Sequence, residues 1–180
     1  IACVILESVM FTSVVVPPPP GFLDGVQKMC AETGALFIID DCLMLRLAYG
    51  GSQERFGLTP DITVLGKFVG GGLPVGAIAG TRELMASLDP YSKSPMYHGG
   101  SFNGNLLGVN AGMAAMRELT RVRIQSMERT AQRLVAELPP LAAQHGIPFP
   151  VSRYASFLGV FPSSFVPPHP AARTTPDTRG

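Results

Sequence analysis

Apolar residues in this chain fall into short continuous runs, separated by one helix-like stretch and by connectors rich in glycine or proline. Four runs are typical of strands buried in a parallel sheet, at residues 1–7, 35–41, 61–66 and 74–80. Residues 22–33 carry apolar side chains at helical spacing and are followed by Gly34, a common C-cap residue. Strand, helix and strand in this order predict right-handed βαβ units and therefore an α/β fold with a mostly parallel sheet.

The second half of the chain is predicted to be helical and then to lose its regular pattern. Helices are expected over residues 105–119 and 123–145, and residues 157–161 are typical of one more strand. Residues 162–180 are rich in proline and polar side chains, which is typical of a disordered tail. We therefore divide the chain into part of a large sheet domain (1–122), a connector helix with the start of a smaller domain (123–161), and the tail.

Composition excludes several functional classes. A chain of 180 residues that is 46% hydrophobic can form about one domain, and its net charge of +1 offers no basic field for nucleic acid or an anionic membrane. No apolar run reaches the roughly 18 residues of a transmembrane helix, and the apolar start lacks the features of a signal peptide. The three cysteines (Cys3, Cys30 and Cys42) contain no CxxC pair. This pattern favours buried thiols in a reducing cytoplasm over disulfides or zinc ligands.

One lysine stands where chemistry is expected. Lys67 follows a predicted strand, precedes the three glycines at 70–72, and is the only charged residue between Asp61 and Arg82. The predicted strand at residues 35–41 ends with two carboxylates, and either Asp40 or Asp41 is its last residue. Ligands of open α/β sheets bind beyond the carboxyl ends of the strands, so we expect the lysine and the aspartate to lie at one crevice.

Three interpretations of this lysine and its glycines are open. A buried ion pair between Lys67 and Asp40 would contribute little to stability. A phosphate-binding turn is disfavoured because the glycines follow the lysine, whereas a P-loop has them before it. In the third interpretation the lysine amine bonds pyridoxal phosphate and the aspartate pairs with the pyridinium nitrogen. The freed lysine would then act as a general base, and the glycines would let the backbone approach the cofactor.

Several segments resemble one enzyme family. The stretches FIIDD, AYGGSQERFGLTPDITVLGKFVGGGLPVGAIAG and MYHGGSFNGNLLGVNAG occur in the same order in the class III aminotransferases. The resemblance is closest to the branch of glutamate-1-semialdehyde 2,1-aminomutase and related β-amino-acid transaminases, and it covers residues 1–161. It implies the central part of a fold type I transferase dependent on pyridoxal phosphate, with a truncated C-terminal small domain.

The resemblance also implies roles for individual residues. Lys67 is implied to be the catalytic Schiff-base lysine, and Asp40 the partner of the cofactor's ring nitrogen. Ser101 matches a threonine that reaches the cofactor phosphate of the other subunit, and Gly100 beside it leaves room for that approach. We therefore expect a cytoplasmic homodimer with a shared active site that transfers an amino group on an amino or keto acid. Nucleic acid and membranes are not expected as partners.

Some positions depart from the family pattern. Asp41 stands where glutamate is usual and is expected to accept hydrogen bonds, while Cys42 replaces a usual valine and is expected only to pack. His98 is expected to be a loop residue near the dimer interface.

Family members are more than twice as long, and their glycine–serine turn for the cofactor phosphate has no counterpart here. The alternative is therefore a catalytically inactive fragment of such an enzyme, lacking the phosphate cup.

Overall fold

A computed structural model of the protein describes residues 1–11, 15–147 and 149–160. The strands are β1 (Cys3–Leu6), β2 (Leu36–Asp40), β3 (Ile62–Leu65), β4 (Ala77–Gly80), β5 (Val151–Tyr154) and β6 (Phe157–Val160). The α-helices are α1 (Phe22–Thr33), α2 (Gly51–Phe56), α3 (Arg82–Met85), α4 (Leu106–Glu118) and α5 (Arg121–Gln144). Short 3-10 helices span Met44–Leu47, Lys67–Gly70 and Ala86–Leu88. The chain forms two compact units, the first comprising Ile1–Ser8 with Gly21–Thr120.

The first unit is built on a four-stranded sheet in the order β1-β2-β3-β4. β1 pairs with β2 and β2 with β3 in parallel, while β4 is antiparallel to β3. The mostly parallel sheet flanked by helices is therefore confirmed. The antiparallel fourth strand follows from the chain itself, because β3 and β4 are joined by a compact glycine turn and not by a crossover helix.

Helix α1 covers one face of this sheet. Its Leu23 and Cys30 pack with Phe37 and Ile39 of β2 in a buried apolar cluster. The helix ends at Gly34, whose φ of 71° is the left-handed conformation that a glycine C-cap adopts. The core thus lies between α1 and the sheet and holds β2 in place.

The other face of β1 corrects two expectations. Cys3 and Ile5 are exposed, Ile5 by 57%, so β1 is not covered on both faces in this chain. The prediction that all three thiols are buried was also wrong. Cys30 is buried, Cys42 is half-buried, and Cys3 faces solvent.

Helix α4 begins with a side-chain cap. Oδ1 of Asn105 accepts a hydrogen bond from the Gly108 N–H at 3.0 Å, which satisfies one of the free donors of the first turn. The predicted helix at residues 105–119 is thus confirmed, and its first residue is set by this cap.

Removing the cap should weaken the helix. We expect Asn105→Ala to lower the free energy of unfolding by about 1 kcal/mol, since the Gly108 N–H loses its acceptor, whereas Asn105→Asp should retain most of the stability. Urea unfolding followed by circular dichroism measures both variants. Equal losses in the two would contradict the capping role.

Of the residues that the structure describes, the second unit comprises 9–11, 15–20, 121–147 and 149–160. Helix α5 confirms the long predicted helix and continues through Pro139 and Pro140. β6 (Phe157–Val160) confirms the predicted strand at residues 157–161 as far as the described residues reach, and it pairs antiparallel with β5, which the sequence did not predict. Arg153 of β5 donates to the carbonyl of Ala155 at 2.7 Å, which fastens the two-residue turn of this hairpin.

In the part of the chain that the structure describes, no helix combines the length and apolarity needed to cross a bilayer. The predicted tail at 162–180 lies outside the described residues. The functional domain boundaries at 122 and 161 stay predictions.

Candidate active site

The candidate site lies at the carboxyl edge of the parallel strands. Asp40 is the last residue of β2, and Lys67 follows the end of β3. Because these strands are parallel neighbours, with Asp40 opposite Val64, both residues reach the same edge of the sheet. The backbone thus brings both residues to one edge of the sheet, and the expected crevice between their side chains stays a prediction.

Lys67 has an unusual backbone conformation. Its φ of 48° lies in the left-handed region, which L-residues other than asparagine and aspartate seldom adopt. Gly66 before it is extended, and a 3-10 turn runs from Lys67 to Gly70. This abrupt change of direction turns the lysine out of the sheet, and its side chain is exposed. The position is free to take a ligand.

Asp40 is held from its own loop. Its Oδ1 accepts a hydrogen bond from the Cys42 N–H at 2.9 Å. Desolvation by burial is the main cause that raises the pKa of the Cys42 thiol, and Asp40 raises it further while the charge of Lys67 opposes the shift. The Cys42 side chain packs close to Gly66, the residue before Lys67, which agrees with the packing that the sequence predicted for it.

The glycine turn after Lys67 lies against helix α4. A Cβ at Gly71 would lie 2.3 Å from the carbonyl oxygen of Ala111, and one at Gly112 would lie 2.1 Å from that of Val69. The turn after Lys67 and helix α4 therefore pack backbone against backbone. Gly72, in contrast, has open space around its Cα. Close approach to α4 therefore requires a glycine at position 71, and the expected approach of the glycine turn to a cofactor stays a prediction.

Asp41 is buried beneath the site and confirms its predicted part as a hydrogen-bond acceptor. It is 1% exposed, and its Oδ2 accepts the N–H of Ser52 at 3.0 Å while its Oδ1 accepts the Ser52 hydroxyl. The Ser52 and Ser8 hydroxyl oxygens lie 2.5 Å apart. Desolvation by burial raises the pKa of Asp41, partly offset by the bonds from Ser52. This network ties the segment after β1, the loop after β2 and helix α2 together, and its distant serines gave no local sequence signal.

The remaining predicted residues lie in another loop. Gly100 and Ser101 are exposed, and the Gly100 carbonyl accepts the Asn103 N–H at 3.0 Å in a turn. His98 lines an open cavity of about 260 Å³ together with Phe102, Asn105 and residues of the 74–76 segment. The predicted contact of Ser101 concerns a neighbouring subunit and stays a prediction.

The residues present fit part of pyridoxal phosphate. An exposed amine at Lys67 suits the cofactor's aldehyde carbon, and a carboxylate anchored through one oxygen at Asp40 suits its ring nitrogen. The fit rests on the chemistry of these donors and on their shared edge of the sheet. Residues for the cofactor phosphate within one subunit are not assigned.

Comparison with known proteins identifies the family of this chain. The family model for class III aminotransferases matches residues 1–163. Glutamate-1-semialdehyde 2,1-aminomutase 1 of Bacillus cereus is 43% identical over 162 residues, which cover 89% of this chain and 37% of that protein. The chain therefore spans little more than a third of the length of this relative.

Solved structures agree in fold. An omega-transaminase from Sphaerobacter thermophilus superposes with a TM-score of 0.81 at 33% identity, over 94% of this chain and 38% of that one. A β-phenylalanine aminotransferase from Variovorax paradoxus gives 0.78 at 31%, over 89% and 37%. A further similar structure is a transaminase with pyridoxal phosphate bound, with a TM-score of 0.79 at 29% identity, over 88% of this chain and 38% of that one. By sequence and by fold, the chain belongs to the class III aminotransferases, a family of fold type I enzymes dependent on pyridoxal phosphate.

Proposed function

We propose that this chain carries the lysine and the ring-nitrogen aspartate of an enzyme that transfers or shifts an amino group with pyridoxal phosphate. The observation that supports this most is the placement of Asp40 and Lys67 at the same edge of two paired parallel strands. The names of its relatives support either a transaminase or a glutamate-1-semialdehyde 2,1-aminomutase reaction.

The proposed roles rest on the family likeness and agree with the position of Asp40 and Lys67 at one edge of the sheet. Bound pyridoxal phosphate would supply a ring that accepts electrons when a bond at the substrate Cα breaks. The Asp40 carboxylate would accept the N–H of the ring nitrogen and so keep that nitrogen protonated. Lys67 would hold the cofactor through Nζ, and the freed amine would act as the base that takes the proton from the substrate Cα. Its exposed position allows this exchange.

Further parts of the proposal rest on the family likeness. Substrates are amino and keto acids, and the active unit is a cytoplasmic homodimer with a shared site. In it, Ser101 donates to the cofactor phosphate of the other subunit, and Gly100 leaves space for that contact. The exposure of the turn that contains Gly100 and Ser101 is consistent with such a contact.

The test uses the three lysines of the chain (Lys28, Lys67 and Lys93). Pyridoxal phosphate added to the purified chain should give a visible absorbance band that Lys67→Ala abolishes. Lys93→Ala is the matched control, because this lysine is also exposed, and it should leave the band unchanged. Borohydride reduction followed by peptide mass spectrometry should place the label on Lys67.

Two results would contradict the proposal. A label spread evenly over all three lysines would show nonspecific amine chemistry. A wild-type chain with no lysine-dependent band would favour the alternative, an inactive fragment of the family.

A further inference from the structure

Glu7 stands at the same edge of the sheet as the two residues on which the proposed function depends. It directly follows β1, just as Asp40 ends β2 and Lys67 follows the end of β3. The parallel register of β1 and β2 pairs Leu6 with Ile39, so Glu7 and Asp40 are the next residues along these two strands. Neighbouring strands lie about 4.8 Å apart. Glu7 and Asp40 are therefore neighbours across the strand pair.

Glu7 and Asp40 also share one face of the sheet. Leu6 and Ile39, which precede them, pack in the apolar cluster beneath α1. Side chains alternate between the two faces along a strand, so Glu7 and Asp40 lie on the opposite face. Ile5, which shares that face of β1, is 57% exposed. The two carboxylates thus lie side by side on the face that α1 does not cover.

The Glu7 carboxylate differs from its neighbours in its hydrogen bonds. Its Oε2 is shielded from solvent, yet it accepts no hydrogen bond from the residues that the structure describes. In contrast, Oδ1 of Asp40 accepts the Cys42 N–H, and the buried Asp41 carboxylate accepts from Ser52. A carboxylate oxygen that is removed from water and has no donor destabilises the folded chain. Such an atom is typical of a site whose partner is a ligand.

The place of Glu7 beside Asp40 indicates the charge of that ligand. Like charges on neighbouring strands repel each other, and a positive group in front of them offsets the repulsion. The cofactor ring, when its nitrogen is protonated at Asp40, carries such a charge. The cofactor phosphate and a substrate carboxylate are negative and are disfavoured here. The ring end of the cofactor is therefore the group that suits Glu7.

We propose that Glu7 is a further cofactor-binding residue, whose carboxylate lies beside that of Asp40 and faces the positively charged ring end of pyridoxal phosphate. This inference rests on the proposed function, because it requires the ring nitrogen to lie at Asp40. Glu7 adds a second negative charge, which helps to keep that nitrogen protonated. The repulsion between the two carboxylates weakens the free chain and is relieved when the cofactor binds.

The stability of the free chain is the first test. Glu7→Gln removes one of two like charges, and its amide can donate to the Asp40 carboxylate, so the melting temperature should rise by about 2 to 4 °C. Glu83→Gln is the matched control, because this exposed glutamate lies in α3, and it should leave the melting temperature unchanged. A glutamate with a purely structural role would give the opposite sign. A melting temperature of Glu7→Gln at or below that of the wild type would overturn the proposal.

Binding of pyridoxamine phosphate is the second test, because this probe has the same ring but lacks the aldehyde. A Lys67→Ala background makes the measurement independent of the lysine. In it, Glu7→Gln should weaken the dissociation constant, measured by fluorescence titration, by about fivefold, although it stabilises the free chain. Asp40→Asn should weaken binding by about tenfold, and Glu83→Gln should not change it. Equal affinities with and without Glu7→Gln would overturn the proposal.

Failure of this inference is distinguishable from failure of the proposed function. The proposed function fails when pyridoxal phosphate gives no absorbance band that depends on Lys67. The role of Glu7 fails when Glu7→Gln neither stabilises the free chain nor weakens binding of pyridoxamine phosphate. A Lys67→Ala chain that binds no pyridoxamine phosphate at all would contradict both.

Discussion

Replacing Gly112 with alanine should destabilise the sheet unit by about 3 kcal/mol, because the new methyl group has no space. Its Cβ would lie 2.1 Å from the carbonyl oxygen of Val69, a backbone atom that cannot move aside as a flexible side chain does. Either α4 must shift away from the lysine turn or the turn must distort. Urea unfolding followed by circular dichroism measures the loss.

Two other glycines serve as controls. Gly25 lies inside α1 with open space around its Cα, so Gly25→Ala should stabilise the chain by about 0.5 to 1 kcal/mol through helix propensity. Gly72 has a φ of 94° but also open space, so Gly72→Ala should show only the backbone strain, about 1 to 2 kcal/mol. A loss for Gly112→Ala no larger than that for Gly72→Ala would contradict the close approach.

Replacing Asp41 with alanine should cost about 2 kcal/mol at neutral pH, since it leaves the buried Ser52 N–H without its acceptor. Asp41→Asn should stay within about 1 kcal/mol of the wild type. Its amide oxygen can accept the Ser52 N–H, and its NH₂ group can donate to the Ser52 hydroxyl. Equal losses in the two variants, measured by urea unfolding, would exclude this network.

The burial of Asp41 also predicts that stability depends on pH. Burial raises the pKa of Asp41 in the folded chain above its ordinary value of 3.8. At a pH between the ordinary pKa and the raised pKa of the folded chain, the folded state binds more protons than the unfolded state. The free energy of unfolding therefore falls as pH rises through this window. Asp41→Asn should remove this part of the slope. An unchanged slope in that variant would contradict the assignment to Asp41.

Local patterns were sufficient to predict much of the fold. The apolar runs at β2 and β3 and the helical spacing of α1 each specify their own element, and parallel pairing follows from the intervening helix. β5 could not be predicted, because the polar residues Ser152 and Arg153 interrupt its apolar pattern. Exposure of Ile5 on β1 could not be predicted either, because a continuous apolar run indicates burial on both faces.

Residue chemistry was sufficient to propose the candidate site residues, but the contacts around them could not be predicted. Asp40 and Lys67 stand out by residue type and by their places at strand ends. Cys42 does not, because a cysteine among apolar residues is indistinguishable from ordinary packing until its neighbours are known. The steric reason for Gly71 depends on Ala111, forty residues later. Contacts of this kind arise only when the chain has folded.

Stability and chemistry oppose each other at residue 67. The left-handed φ of 48° costs a lysine about 1 kcal/mol, a penalty that glycine would not incur. An unconstrained search for the most stable sequence on this backbone would therefore replace the lysine with glycine and lose the amine in the same step. Where Lys67 holds the cofactor as proposed, engineering for thermal tolerance must keep the lysine and accept its strain.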